Sequence, residues 1–323
     1  MTTSRLRIAS LLAIAAVVAG ACTSAAATPV PTAVPTAAPL VTTAPVATAA
    51  ATVAPTAAPT QKVVGTVPAD QLVVAGHLTI CSDIPYPPQE FFDKDGNPTG
   101  SDIDLGGEIA TRLGLKVAIQ NTVFDTIIAA LQGNKCDIIM SAQNITTDRL
   151  KEVDMIPFFH AGQAFVVDKG NPSAIKTAND LCGKSVGVEN GTTEADNLNG
   201  TGDYKTTGGL PAACKKAGLA AIDVKPFTKD SDALLALQSG KVAAYFTDSP
   251  VAGYYVVQQP DLFELVSGLT LDDVKEGISV SKDKTGLSAA VKTALQSMID
   301  DGTYVNILKK YGVESGAVTS TNS

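Results

Sequence analysis

Two stretches, FDTIIAALQGNKCDIIMS (Phe124 to Ser141) and FTKDSDALLALQSGKVAAYFTD (Phe227 to Asp248), repeat one design: an amphipathic helix, ALQ, a glycine, a lysine, then an apolar run ending in polar residues. Apolar residues at helical spacing followed by a short β-run are the mark of α/β units with a largely parallel sheet. Working outward, LTIC (78–81), KVAI (116–119), DIIMS (137–141), SVGV (185–188), AIDV (221–224) and VAAYF (242–246) read as strands. DIDLGGEIATRLG, DTIIAALQG and DALLALQSG read as helices, each opening near an Asp cap and stopping at Gly114, Gly133 or Gly240. Ligands of open α/β sheets bind beyond the carboxyl ends of strands. Two such sheets facing each other enclose a cleft.

Past the strand ending at Ser141 comes AQNITTDR. If Thr146 caps a helix, its first-turn N–H groups and the Arg149 guanidinium converge on one spot, suited to a carboxylate. Taken alone, Arg149 reads equally well as a solvated surface charge. Asp248 ends the strand of the second unit, either as a carboxylate projecting into the crevice or as the cap of the helix beginning near Pro250. A cation on one lobe and an anion on the other suit a zwitterion, because a buried charge is tolerated only when paired. Tyr86, in the stiff loop CSDIPYPPQEFF, and Phe124 are candidates to flank the ligand's aliphatic part, or else are core. Gly191, Thr192 and Thr193 form a polar turn opening a helix, which supplies donors to a carboxylate.

The chain has 323 residues and a net charge of -8, with no Lys/Arg cluster, which argues against a nucleic-acid partner. Its first 22 residues carry Arg5 and Arg7, an apolar run from Ile8 to Val18, then small residues before Cys22. That is the plan of a secretory signal, with Cys22 as the lipidated residue of a bacterial lipoprotein box. The apolar run is short for a transmembrane helix. Residues 23–66 are dominated by Ala, Thr, Pro and Val, with no charge between Arg7 and Lys62, and read as a disordered tether reaching on the order of 100 Å from the membrane. Only His77 and His160 are present and no Cys/His spacing suits a metal. No P-loop, nucleophile elbow or placed Cys/His pair appears. No cofactor is expected.

In order, the motifs DIPYPP, DGNPTGSDIDL, FDTIIAALQGNKCDIIMSAQNITTDR, LCGKSVGVENGTTEAD, ALQSGKVAAYFTDSPVA and DGTYVNILKKYG resemble the periplasmic polar amino-acid-binding proteins of ABC importers, bacterial extracellular solute-binding protein family 3. The resemblance covers essentially everything after the tether. It implies a two-lobed type II periplasmic-binding-protein-like α/β fold, each lobe a mostly parallel sheet flanked by helices, with two hinge crossovers. On this basis residues 67–163 and 269–323 form lobe 1 and residues 164–268 form lobe 2. It further implies that Arg149 takes the ligand α-carboxylate, helped by Thr193 and the backbone at Asn144, and that Asp248 takes the α-ammonium. Asp83, Tyr86, Phe124, Ser141 and Ala142 fall on ligand-contacting positions, and Glu189 lies beside the pocket. Ser101 and the run Ala142, Gln143, Asn144 depart from the usual pattern. Asp83 and Glu189 together tilt the side-chain preference slightly toward a basic or amide ligand.

The implied function is capture of a free amino acid by hinge closure and delivery to an ABC permease, by a monomer held at the outer membrane face through Cys22. Two rivals are a sensor of the same fold and a prephenate- or arogenate-type dehydratase using Glu189 or Glu194 as acid or base. The resemblance also favours a Cys182–Cys214 disulfide. Cys81 ends one proposed strand and Cys136 begins another, so parallel neighbours would hold them at opposite ends, and they are expected as buried thiols.

Overall fold

The computed structural model describes residues 63–322. The expected signal sequence, the expected lipidation site at Cys22 and the expected tether up to residue 62 lie outside the described residues. Ten strands are formed among them: β1 (His77–Ser82), β2 (Phe91–Phe92), β3 (Pro98–Thr99), β4 (Lys116–Asn121), β5 (Ile138–Ile139), β6 (Val153–Asp168), β7 (Ser185–Glu189), β8 (Asp223–Phe227), β9 (Ala244–Asp248) and β10 (Phe263–Ser281). The helices are α1 (Ser101–Arg112), α2 (Ile127–Gln132), α3 (Arg149–Glu152), α4 (Thr193–Asn199), α5 (Gly209–Ala217), α6 (Asp230–Gln238), α7 (Ser249–Gln258), α8 (Thr285–Asp301) and α9 (Thr303–Tyr311).

Eight strands join in the order β4-β1-β5-β10-β6-β9-β7-β8. Within each lobe the short strands are parallel: β1 with β4 and β5, β7 with β8 and β9. The two lobes do not carry separate sheets, as expected from sequence, but share one. The long strands β6 and β10 pair antiparallel from Val153/Ser281 to Asp168/Phe263, and register shifts along them break the ladder where the chain passes from lobe to lobe. One lobe packs β1, β5 and α1 against α8 and α9 around Ile80, Leu105, Phe158 and Leu295. In the other, Phe165 stacks on Phe246 beside Val188 and Leu198, and Leu237, Tyr245 and Phe263 fill the opposite face.

In α1 and α6 the aspartates expected as helix caps sit inside the first turn, whereas Asp125 precedes Thr126, the N-cap residue of α2. Gly100 and Lys229 occupy the N-cap positions of α1 and α6, while Asp102, Asp104, Asp230 and Asp232 fall in the first turns, where a carboxylate opposes the helix dipole. The proposed strand DIIMS shrinks to Ile138–Ile139, because at Ala142 the chain turns away with φ 44°. A non-glycine residue in the left-handed region must be held there. The buried Asp102 carboxylate does so by accepting the Ala142 N–H at 3.0 Å. The strands expected at 221–224 and 242–246 each lie two residues further along, as β8 and β9.

Cys182 and Cys214 form a disulfide, Cα–Cα 5.5 Å. Cys81 and Cys136 form one too, Cα–Cα 5.7 Å, which corrects the expectation of two thiols. That expectation placed Cys136 in the strand. In fact β5 begins at Ile138, whose partner is Ile80, and Cys136 belongs to the turn leaving α2. With Ile127, Leu131 and Ile139 it forms a small core over Cys81, so the sulfurs meet on the sheet face instead of lying at opposite strand ends.

Candidate functional site

Strand ends from both lobes meet around a narrow, largely filled cavity. All ten residues expected at a ligand site line it: Asp83 and Tyr86 after β1, Phe124 before α2, Ser141, Ala142 and Asn144 after β5, Arg149 at α3, Glu189 at the end of β7, Thr193 at the start of α4 and Asp248 at the end of β9. Thr192, expected as a donor in the polar turn, and Glu194, named only as acid or base of the rival dehydratase, line it as well, and so does Glu90, which sequence reasoning missed. Ser101 is buried at the start of α1 and is not part of the wall. Among the described residues no cluster of His, Cys, Asp and Glu suits a metal ion.

Arg149 is not a solvated charge. Its N–H donates to Thr146 Oγ1 at 3.1 Å, although Asp148 and not Thr146 holds the N-cap position of α3. Because α3 is a single turn, its dipole contributes little, and the guanidinium carries the positive end of the site. The guanidinium donates to Asn144 O at 2.6 Å and to Gly191 O at 3.0 Å, and lies 5.2 Å from the Phe124 ring centroid. Two of its five N–H donors are thereby spent on carbonyls that hold it in place. Gly191 has φ 80°, and a Cβ there would come within 3.0 Å of Asp125 Oδ1, so glycine lets this carbonyl approach. Burial pulls the Arg149 pKa down while Glu194 and Asp196 push it up.

Thr193 Oγ1 accepts from Asn144 Nδ2 at 2.6 Å and from Gln163 Nε2 at 3.1 Å, and donates to Glu194 Oε2 at 3.3 Å. Asp248 stands at the N-cap of α7, but its side chain caps nothing. Instead Oδ2 accepts from the Tyr86 hydroxyl at 2.7 Å, and the Asp248 N–H donates to the Tyr86 hydroxyl oxygen at 3.2 Å. Asp248 Oδ1 and Glu194 Oε1 are buried with no hydrogen-bond donor beyond a proton that the two carboxyls share between them. Burial and the Glu194 charge hold the Asp248 pKa well above the usual carboxylate range, and burial raises that of Glu194.

Beneath them, Ser141 Oγ donates to Glu90 Oε1 at 2.7 Å and accepts the Asp83 N–H at 2.8 Å. Asp83 Oδ2 accepts the Phe124 N–H at 2.6 Å, and Oδ1 is ion-paired with Lys229, which crosses from the other lobe. Glu189 is 5% exposed and accepts the Asp230 N–H at 3.1 Å. Its pKa is pushed up to about 10, first by burial, then by the charges of Asp230 and Asp83, so it is a neutral acid at pH 7. Burial likewise raises Asp230 and Asp102 to about 7. Carboxyls thus crowd the cavity, and burial favours the neutral form of several of them.

Lys229 was also missed. It sits in the second of the two repeated units, where its only signal was a polar position before a helix. The lobes touch at this cavity through Tyr86–Asp248, Asn144–Thr193, Arg149–Gly191, Lys229–Asp83 and Asn190 Nδ2–Asp125 Oδ2, the last at 2.8 Å.

Residues 78–314 match the model of the bacterial extracellular solute-binding proteins, family 3, and the chain belongs to that family. It is similar to the L-cystine-binding protein TcyJ of Escherichia coli (strain K12), with 27% identity over 237 residues, 73% of this chain and 82% of that protein. Among solved structures it resembles an ancestral arginine-binding protein bound to arginine, at 39% identity and TM-score 0.64, covering 73% of this chain and 98% of the other. An ancestral arginine-binding protein bound to glutamine matches at 38% identity and TM-score 0.64, over 74% and 99%. These relatives are named as binding proteins, not as dehydratases.

Proposed function

We propose that this chain captures a free polar amino acid between its lobes and delivers it to an ABC permease. The carrying observation is one cavity with a guanidinium held by carbonyls at one point and, at another, carboxyl oxygens that have no donor beyond a shared proton. Arg149 binds the α-carboxylate, with Thr193 and the backbone at Asn144. Asp248 receives the α-ammonium, which supplies donors to Asp248 Oδ1 and Glu194 Oε1. Tyr86 and Phe124 flank the aliphatic stem, Ser141 and Ala142 close the floor, and Asp83 and Glu189 face the side chain. The relatives' names, cystine-binding and arginine-binding, support an amino acid as ligand without choosing one.

Each lobe satisfies a different ligand charge, so the ligand binds the closed state better than the open one and draws the equilibrium toward it. The lobes are residues 67–163 with 269–323, and residues 164–268. A lipidated Cys22 and the tether of residues 23–66 hold this monomer outside the cytoplasm. Calorimetric titration with the twenty amino acids tests the binding, with a dissociation constant near 1 µM, about 8 kcal/mol, as the expected scale. Absence of any binder refutes it. Mass spectrometry of the N-terminal peptide from membrane-extracted protein tests lipidation of Cys22.

A further inference from the structure

We infer that Lys229 is a resident counter-ion that sets ligand specificity, turning an acidic side-chain subsite toward neutral, hydrogen-bonding side chains of the amide or ureido class and away from cationic ones. This rests on reading the cavity as an amino-acid site. Asp83 is 4% exposed, and taken alone its carboxylate would select a guanidinium or ammonium from the ligand. It already has one. Lys229 lies just before α6, in extended backbone with no capping bond from its side chain. From there its ammonium reaches across the cleft to Asp83 Oδ1, and also donates to Ile84 O at 3.3 Å.

The second Asp83 oxygen is taken by the Phe124 N–H. The neighbouring carboxyl, Glu189, is buried against Asp230 and carries a proton near neutrality, so it adds no negative charge to the pair. The wall is therefore polar and charge-balanced. A ligand ending in a cation must either displace Lys229, which is 24% exposed, or lie beside it in a water-poor cleft. A neutral amide meets both kinds of group, its carbonyl accepting from donors and its NH2 donating to carboxyl oxygens. A hydrogen-bonded pocket of this kind discriminates strongly against a side chain that leaves its polar groups unpaired.

The test measures affinities of the full chain for glutamine, citrulline, arginine and lysine. Citrulline is the decisive probe, having the length of arginine without its charge. The expected result is at least tenfold tighter binding of citrulline or glutamine than of arginine, with Lys229→Met shifting the arginine-to-citrulline ratio at least tenfold toward arginine. A parent chain that prefers arginine to both neutral ligands overturns the inference without needing any variant. So does a ratio that stays within twofold in both Lys229→Met and Lys229→Gln. Failure to bind any amino acid overturns the amino-acid reading and the inference with it, whereas arginine preference with a binding-dead Arg149→Ala chain overturns the inference alone.

Discussion

Across the cleft, the Tyr86 hydroxyl donates to Asp248 Oδ2 at 2.7 Å and is itself 3.0 Å from Thr247 Oγ1, so one phenol from the loop after β1 organises the end of β9 in the other lobe. Neither residue makes this arrangement locally. It exists only when the lobes are together, and it fixes a carboxyl group whose second oxygen has no donor beyond the proton shared with Glu194.

Replacing that phenol should therefore weaken the closed, liganded state. In Tyr86→Phe the ring remains but Asp248 loses its donor, and an unsatisfied buried partner costs about 1–3 kcal/mol. Ligand affinity should fall by about tenfold or more by calorimetry, while the melting temperature without ligand changes little. Affinity equal to the parent's would show that the Tyr86–Asp248 bond does not serve binding.

Arg149 should be far less tolerant. Truncation of one partner of a buried, hydrogen-bonded charge pair typically costs 2–5 kcal/mol. Arg149→Ala should lose at least about 30-fold in affinity. Arg149→Lys should recover only part of it, since a point charge cannot hold both Asn144 O and Gly191 O and still form a fork to a carboxylate.

Stability should fall as pH rises through neutrality. Asp102 and Asp230 have pKa values raised from 3.8 to about 7, and Glu189 from 4.5 to about 10, chiefly by burial. Below the unfolded values both states bind the proton and nothing is lost. Above them the unfolded chain ionises first, and stability drops by about 1.4 kcal/mol per pH unit per group until the folded pKa is reached. Asp301 works the other way, held down to about 2 by Arg112, and loses its contribution as pH falls below about 4. Thermal melts should give a higher midpoint at pH 5 than at pH 8. A midpoint that rises steadily from pH 5 to pH 8 contradicts this balance.

Both disulfides should contribute to stability. The Cys81–Cys136 and Cys182–Cys214 links close loops with sequence separations of 55 and 32. Loop-closure entropy gives each about 4 kcal/mol. Thiol titration of the denatured, unreduced protein should find none of these four cysteines free, and the double variant Cys81→Ser/Cys136→Ser should melt well below the parent. Two titratable thiols from Cys81 and Cys136 would restore the expectation drawn from sequence.

Much of this was legible in the chain itself. The repeated ALQ-Gly-Lys units marked the α/β architecture, and the polar residues ending their strands marked both the Arg149 segment and Asp248 as cleft candidates. The missed features share a cause. Glu90 and Lys229 are charged residues in loops or just before a helix, where local sequence favours solvent exposure. Their burial follows from elements far away in the chain, such as Ser141 for Glu90 and Asp83 for Lys229.

The sequence by itself determined the periodicities, the strand-end polar residues and the family motifs, because these are written in residues close together along the chain. Only the tertiary structure decided which charges face each other. It joined the two expected sheets into one through β6 and β10, brought Cys136 over Cys81, and set Lys229 against Asp83 across 146 positions of sequence. The physical reason is that a carboxylate's partner and protonation state depend on burial and on neighbours in space, and neither has a period or spacing that a sequence can display.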